Sequence, residues 1–139
     1  MTSSVSDRVA TDPARDPGRV IVFDTTMRDG EQAPGFSMSP ADKVRMGRQL
    51  KALGVDVMEA GFAAASPGDE DCIRAVVGEI AEDDSGPVFC SLSRSNEADI
   101  DASYRALRGT KRRRCHVFIG TSPIHRSAKL RMTPDQVLT

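Results

Sequence analysis

Residues 20–32 read VIVFDTTMRDGEQ, an apolar run that gives way to a loop crowded with charged and amide side chains. The first four residues are short-chained or aromatic, mostly β-branched, and free of polar groups, which is typical of a strand buried on both faces. Parallel α/β architectures bind their ligands at the carboxyl ends of the strands. The sequence therefore predicts a buried strand over 20–23 and makes Arg28 and Asp29 candidate site residues.

A helix and a second strand follow this loop. Ser39 and Pro40 supply an N-cap and a proline at the first helical position, and Gly54 is suited to end the helix. We predict that the helix runs to about Leu53 and carries Lys43 on its charged outer face. Residues 55–61 form the next predicted strand, and the short connection before it is typical of a parallel βα repeat.

The same alternation continues through the rest of the chain. The pattern predicts a second helix over about 68–81, a third strand over 88–92, a third helix to about Leu107, a fourth strand over 115–120 and a further helix starting at Thr133. These are about four parallel βα units, so the predicted fold is α/β and corresponds to the N-terminal half of a (β/α)8 barrel. The barrel is predicted to be truncated, because a whole barrel needs about 250 residues. An open doubly wound sheet is the competing architecture, but the first loop lacks the expected GxGxxG.

Composition narrows the class of protein. Residues 1–19 contain few apolar side chains, so we expect a disordered N-terminal tail followed by one folded domain over 20–139. The net charge of -1 and the absence of Trp argue against a nucleic-acid partner. No apolar run approaches the roughly 18 residues of a membrane span. Three widely spaced cysteines without a CxxC pair indicate a reducing cytoplasm.

Polar side chains recur at the predicted carboxyl ends of the strands. Arg28 and Asp29 suit a metal-bound keto acid, because a carboxylate supplies a hard oxygen ligand and a guanidinium stabilises a developing oxyanion. A salt bridge within the loop explains the same pair equally well. The other candidates near strand ends are Gln32, Glu59, Ser91, Ser93 and His116.

Three stretches of this sequence resemble a known family. Residues 24–35, DTTMRDGEQAPG, resemble the signature of the family of 2-isopropylmalate, homocitrate and citramalate synthases, within the pyruvate-carboxylase-like barrel superfamily. Residues 53–69, LGVDVMEAGFAAASPGD, and residues 116–125, HVFIGTSPIH, are similar to the second and fourth strands of the 2-isopropylmalate-forming members. By this resemblance, residues 20–139 are part of a pyruvate-carboxyltransferase-like catalytic barrel.

The resemblance implies an activity and a set of roles. The implied reaction is the condensation of acetyl-CoA with 2-oxoisovalerate to 2-isopropylmalate, an acyltransferase reaction and the first committed step of leucine biosynthesis. The resemblance also implies that the full-length parent enzyme is a homodimer. It implies a divalent cation, Mg²⁺ or Mn²⁺ in the first place and Zn²⁺ as an alternative, with Asp29 as a metal ligand. Arg28 would be catalytic by stabilising the alkoxide. Arg28, Gln32, Glu59 and His116 would bind substrate.

Several alternatives stay open at this level. The family's His-x-His metal pair and its later catalytic residues belong to strands beyond Thr139, so we expect the 139-residue chain by itself to be inactive. Homocitrate synthase, citramalate synthase, a related carbon–carbon lyase and a non-catalytic fragment or binding module are the competing functions. Glu59 fits a buried acid paired with Arg28 as well as it fits a pocket residue, and His116 fits a core histidine.

Overall fold

The computed structural model of this chain describes residues 18–81 and 86–138, so the tail predicted over 1–19 lies almost entirely outside the described residues. Strands and helices alternate through both ranges. The strands are β1 (Phe23–Asp24), β2 (Val57–Gly61), β3 (Val88–Arg94) and β4 (Arg113–Phe118). The helices are α1 (Pro40–Leu53), α2 (Pro67–Ile80), α3 (Glu97–Ala106) and α4 (Pro134–Leu138), with a 3₁₀ turn at Gly30–Gln32 and a π-helical turn at His125–Leu130.

The four strands form one parallel sheet in the order β1-β2-β3-β4. Helix α1 packs on α2, and α2 packs on α3, so consecutive helices are neighbours in space. A doubly wound sheet reverses its strand order at a switch point, and this sheet does not reverse among the described strands. The arrangement is therefore that of a singly wound (β/α) barrel over its first four strands, as the sequence predicts.

The first three long helices start at side-chain caps. Ser39 accepts a hydrogen bond from the backbone N–H of Asp42, and Ser66 and Asn96 cap α2 and α3 in the same way. Gly54 ends α1 in the left-handed conformation, with φ 80°. The predicted bounds of α1 are confirmed, and α2 begins and ends one residue before the predicted range.

The core lies between the sheet and the helices. Met58 of β2 and Phe89 of β3 are fully buried, and α2 covers them with Ile73, Val76 and Ile80. Gly47 lets α1 approach α2 closely, because a Cβ at this position would overlap the Cδ1 of Ile80 and lie 3.5 Å from the Sδ of Met58. The other buried residues of this core are Met27, Leu50, Ala60, Ala63, Val77, Ala102, Ala106 and Leu107.

The predicted first strand differs from the observed one. Only Phe23 and Asp24 pair with β2 in the described sheet, and the side chains of 20–23 are 37–83% exposed, so their predicted burial on both faces is wrong here. The reason is that β1 forms one edge of the described sheet. The carboxylate of Asp56 accepts a hydrogen bond from the backbone N–H of Val22 at 2.9 Å, and the carbonyl of Val22 accepts hydrogen bonds from the backbone N–H groups of Asp56 and Val57.

The fourth strand begins earlier than predicted, at Arg113 rather than Cys115. Its arginines are tolerated because β4 is the other edge of the described sheet. The guanidinium of Arg113 lies 4.8 Å from the ring centroid of Tyr104 and donates to the carbonyl of Thr110 at 3.2 Å. Arg113 and Arg114, which the sequence pattern places before the strand, thus belong to it.

Two helical glycines give a test of the packing between α1 and α2. We expect Gly47→Leu to lower the free energy of unfolding by about 1–3 kcal/mol, because the new side chain has no room beside Ile80. Gly78→Leu is the matched control, since a Cβ at Gly78 meets nothing within 4 Å, and it should raise the free energy of unfolding by up to about 0.8 kcal/mol through helix propensity. Chemical denaturation of both variants measures the difference. Equal effects would contradict the close approach of the helices.

Candidate active site

Glu59 occupies the centre of a charged cluster at the sheet. It lies on β2, between two other strands, and its side chain is completely buried. One carboxylate oxygen accepts a hydrogen bond from Nε of Arg28 at 2.8 Å, and the other lies 2.7 Å from Nδ1 of His116. Because a buried carboxylate is costly unless it is paired and hydrogen-bonded, these two contacts account for its presence inside the sheet.

Arg28 is held by the turn that follows β1. The backbone N–H groups of Arg28, Asp29 and Gly30 all converge on the carbonyl of Thr25, at 3.0, 2.8 and 3.2 Å. The Arg28 side chain is 19% exposed, and its Nη1 donates to Oδ1 of Asp29 at 2.8 Å. The guanidinium is therefore clamped between two carboxylates, and Nη2 has no hydrogen-bond partner in the described part of the chain. A fixed cation with a free N–H edge is suited to bind an anion or a developing oxyanion.

Asp29 presents a carboxylate to solvent at the same place. Its side chain is 60% exposed, and Oδ2 has no hydrogen-bond partner among the described residues. A free carboxylate oxygen is a ligand that Mg²⁺, Mn²⁺ and Zn²⁺ all accept, so Asp29 fits the ligand role that the resemblance implies. Residues 18–81 and 86–138 contain no group of three His, Cys, Asp or Glu side chains arranged to hold a metal ion. Asp29 would thus supply one ligand of a larger set.

His116 closes the cluster on the side of β4. The contact joins Nδ1 of His116 to a carboxylate oxygen of Glu59; with Glu59 in its ionised form, which only accepts hydrogen bonds, Nδ1 is the donor and Nε2 of a neutral ring is an acceptor. The ring of Phe23 meets the imidazole edge to face, with 5.4 Å between centroids. The side chain is 42% exposed, so the imidazole is positioned by Glu59 yet open on its far side.

The cysteines beside this cluster are protonated thiols. Cys90 lies opposite Glu59 in the register of β2 and β3. Burial, and secondarily the charge of Glu59, raises the pKa of Cys90 to about 12. Burial also raises the pKa of Cys115, the neighbour of His116. A thiol with a raised pKa is a poor nucleophile, so neither cysteine is suited to covalent catalysis.

The other polar candidates lie apart from this cluster. Ser91 and Ser93 point toward α3, where both hydroxyls hydrogen-bond to Oγ of Ser103, at 3.0 and 2.8 Å. They therefore join the strand to its helix rather than facing His116. Gln32 is exposed and lines a cavity of about 340 Å³ together with Arg28.

An ion pair between Arg94 and Asp99 supports the loop after β3. Asp99, at the start of α3, accepts two hydrogen bonds from the guanidinium of Arg94 at 2.7 and 2.9 Å. These bonds lower the pKa of the Asp99 carboxyl to about 2. Arg94 also lies 5.7 Å from the ring centroid of Phe62, in the loop after β2. The loops after β2 and β3 are thus fastened to each other beside the cluster.

Lys43 is a residue that the sequence interpretation placed wrongly. It is predicted on the charged outer face of α1, but its side chain is only 3% exposed, and Nζ lies 2.6 Å from Oε2 of Glu31. Lys43, Gly47 and Leu50 recur at i, i+4 and i+7, and all three are buried. This spacing indicates that Lys43 lies on the buried face of α1. The residue type points to the outer face instead, because lysine is almost never fully buried unless it is paired.

The fold and the cluster define a class of protein: a (β/α) barrel, present here as its N-terminal half, with an arginine–carboxylate cluster where the strands end. The particular family follows from a family model described as HMGL-like, which matches residues 19–139, and the chain belongs to this HMGL-like family. The fold predicted from the sequence is confirmed.

Curated relatives are similar over most of this chain. It is 57% identical over 120 residues to the 2-isopropylmalate synthase of Aquifex aeolicus, an alignment that covers 86% of this chain and 22% of that relative. It is 58% identical to the 2-isopropylmalate synthase of Thiobacillus denitrificans, with 86% and 23% covered, and 54% identical to that of Campylobacter concisus, with 88% and 24% covered. The chain spans about a quarter of the length of these relatives.

These similarities confirm the family that the three motifs indicated, and they leave the residue roles as predictions. The structure brings Arg28, Asp29, Glu59 and His116 into one connected cluster and puts Gln32 at its margin. Within the residues that the structure describes, no helix is long and apolar enough to cross a membrane.

Replacing Glu59 tests whether the buried carboxylate holds the cluster together. We expect Glu59→Gln to lower the free energy of unfolding by about 3 kcal/mol, because one neutral amide cannot replace a carboxylate that faces both Arg28 and His116. Chemical denaturation of the whole protein measures the change.

The matched control is Glu79→Gln, which makes the same chemical change in an exposed ion pair. Glu79 lies 2.8 Å from Arg48, and both side chains are more than half exposed. This variant should alter the free energy of unfolding by less than about 0.5 kcal/mol. If the free energy of unfolding falls by a similar amount in both variants, the buried contacts of Glu59 do not stabilise the fold.

Proposed function

We propose that the protein to which this chain belongs is a 2-isopropylmalate synthase, which condenses acetyl-CoA with 2-oxoisovalerate to give 2-isopropylmalate and free CoA. This is the first committed step of leucine biosynthesis. The observation that carries the proposal is the 53–58% identity to relatives of that name over at least 86% of this chain. That the protein acts in the cytoplasm as a homodimer stays a prediction.

Arg28 is the residue that we assign to the chemical step. A base removes a proton from the methyl group of acetyl-CoA, the resulting carbanion attacks the keto carbon, and the electron pair of the carbonyl moves onto its oxygen. The oxygen then takes up a proton, and water cleaves the thioester to release CoA. The cluster supports this role because Arg28 carries a full positive charge, is fixed by Glu59 and Asp29, and keeps Nη2 free for the oxyanion.

Asp29 is the proposed metal ligand, with the remaining ligands coming from outside the described residues. A divalent cation, Mg²⁺ or Mn²⁺ in the first place and Zn²⁺ as the alternative, would polarise the keto oxygen as a Lewis acid. The hydrogen bond from Arg28 fixes Oδ1 of Asp29 and turns Oδ2 outward. This is how a neighbouring donor orients a ligand carboxylate before the cation arrives.

His116 and Gln32 are the proposed keto-acid contacts, and Glu59 is the residue that positions His116 and Arg28. The buried carboxylate touches both Arg28 and His116, which favours the view that it orients these groups rather than contacting substrate itself. Nε2 of a neutral His116 is then available to accept a hydrogen bond from a hydroxyl group of the bound molecule. Gln32 lies in the same cavity as Arg28 and is exposed enough to reach a ligand there.

The test of this function is an assay of the whole protein for CoA release with 2-oxoisovalerate, pyruvate and 2-oxoglutarate. Preference for 2-oxoisovalerate supports the proposal, whereas preference for pyruvate or 2-oxoglutarate would make the protein a citramalate or homocitrate synthase. Cleavage of a hydroxy acid without condensation would make it a carbon–carbon lyase.

A chimaera isolates the contribution of this chain. The 120 residues of this chain that align with the Aquifex aeolicus relative, at 57% identity, replace the matching segment of that relative. We expect the chimaera to keep condensing activity, because the cluster would then meet the rest of a complete barrel. The 139-residue chain alone should be inactive, since β1 and β4 are sheet edges that need neighbours. An inactive but folded chimaera would argue against a catalytic role for these residues.

Arg28→Lys tests the assignment of the catalytic cation. Lysine keeps the charge but cannot offer a planar fork to both carboxylates and to an oxyanion. We expect kcat to fall by about 100-fold, with a smaller change in the KM for the keto acid, because the lost contact strengthens in the transition state. Steady-state kinetics of the whole protein measures both quantities.

Arg48→Lys is the control for this change. Arg48 is 57% exposed on α1 and pairs with Glu79, so the same substitution there should leave kcat within about twofold of the parent value. An Arg28→Lys variant with unchanged kcat would remove Arg28 from the mechanism.

A further inference from the structure

Lys43 is a charged residue that the proposed mechanism does not use, although it lies directly beneath the loop that carries Arg28. Its side chain is 3% exposed. Nζ contacts Oε2 of Glu31 at 2.6 Å and donates to the carbonyl of Met27 at 3.2 Å. Glu31 in turn accepts a hydrogen bond through Oε1 from the backbone N–H of Met38 at 2.9 Å. One ammonium group on α1 thereby connects both ends of residues 27–38.

Residues 27–38, which we call the site loop, are otherwise weakly packed. Met27 is fully buried, but residues 32–37 are all exposed. The site loop contains a single short 3₁₀ turn, at Gly30–Gln32. Segments with exposed backbone and few buried contacts open easily, so the contacts from Lys43 and Glu31 supply fixed points at the start, middle and end of this loop.

Packing alone does not explain a lysine at this position. Burying an ammonium group costs several kcal/mol unless it is paired and hydrogen-bonded, and an apolar side chain of similar volume often serves stability as well or better. The pair therefore fixes geometry, and what it fixes is the short segment between Met27 and Glu31.

We propose that Lys43 is a positioning residue for the active site: its ion pair with Glu31 and its hydrogen bond to Met27 hold Arg28 and Asp29 in place. Arg28 and Asp29 lie between the two anchored residues in the chain. The guanidinium must meet Glu59 at 2.8 Å from one side while the Asp29 carboxylate stays open on the other. Lys43 borders the same cavity as Arg28, but Nζ is engaged by Glu31 and by the carbonyl of Met27, so we assign it to positioning rather than to contact with the reacting atoms. The catalytic consequence rests on the proposed function.

The experiment compares Lys43→Met with Lys51→Met in the whole protein. Lys51 is a matched control because it lies two helical turns further along α1 and its Nζ donates to a backbone carbonyl, that of Ile80, at 3.0 Å. Hydrogen–deuterium exchange of the site loop is the first measurement. Lys43→Met should speed exchange of the Arg28, Asp29 and Gly30 amides by about tenfold, and Lys51→Met should leave it unchanged.

Steady-state kinetics is the second measurement. Lys43→Met should lower kcat by about 10- to 100-fold with a smaller change in the KM for the keto acid, because a displaced Arg28 loses contacts made in the transition state. Lys51→Met should keep the parental kcat. Glu31→Gln retains the acceptor for Met38 but loses the charge, so it should reproduce both effects in weaker form if Lys43→Met does not fold.

The outcomes separate this inference from the proposed function. Unchanged exchange and unchanged kcat in a folded Lys43→Met or Glu31→Gln variant would overturn it. Faster exchange in the site loop with normal kcat would reduce Lys43 to a structural residue and would also overturn it. If the parent protein condenses none of the three keto acids, the proposed function fails, and the exchange measurement still decides whether Lys43 holds the loop.

Discussion

The buried carboxylate of Glu59 is the interaction on which the rest of the site depends. It lies in the middle of the sheet and engages two groups from different elements, Arg28 after β1 and His116 on β4. These partners are 31 and 57 residues away in the chain, so neither contact forms by local folding. The strands must be in register before the charge is satisfied, and a charge inside the sheet penalises other registers. The site and the strand order therefore stabilise each other.

Much of the architecture was predictable, because local chemistry decides it. Ser39 with Pro40 at one end and Gly54 at the other set the bounds of α1, and Ser66 with Pro67 starts α2 in the same way. Strand ends were harder to predict, because neighbours rather than residue type decide them. Arg113 joins β4 through contacts with Tyr104 and Thr110 that no local pattern reveals.

The candidate site was predictable as a set of residues but not as a network. Position near a strand end identified Arg28, Asp29, Glu59 and His116, and the motifs added a proposed role for each of them. The sequence left open whether Glu59 served as a pocket residue or as a partner of Arg28, because either role uses the same residue type. The structure adds a second partner, His116, at 2.7 Å. The sequence pattern put Lys43 on the wrong face of α1 because the burial of Lys43 depends on its ion pair with Glu31. Glu31 lies outside α1, so the helical periodicity of α1 does not reveal this pair.

A bulge near the end of β2 has a consequence for how these charges choose their partners. The register shifts between Glu59 and Gly61, so that adjacent residues of β3 lie opposite them. Glu59 consequently faces His116, while Gly61 is turned toward the helices, where Lys43 and Ile73 end. Two ion pairs thus lie near the end of this strand, Arg28 with Glu59 and Lys43 with Glu31, and Arg28, Glu31 and Lys43 line one cavity. Without the bulge, residues 59 and 61 would share one face of the sheet, as alternate residues of a regular strand do, and the chain could not direct Glu59 to His116 and Gly61 to the helices at the same time.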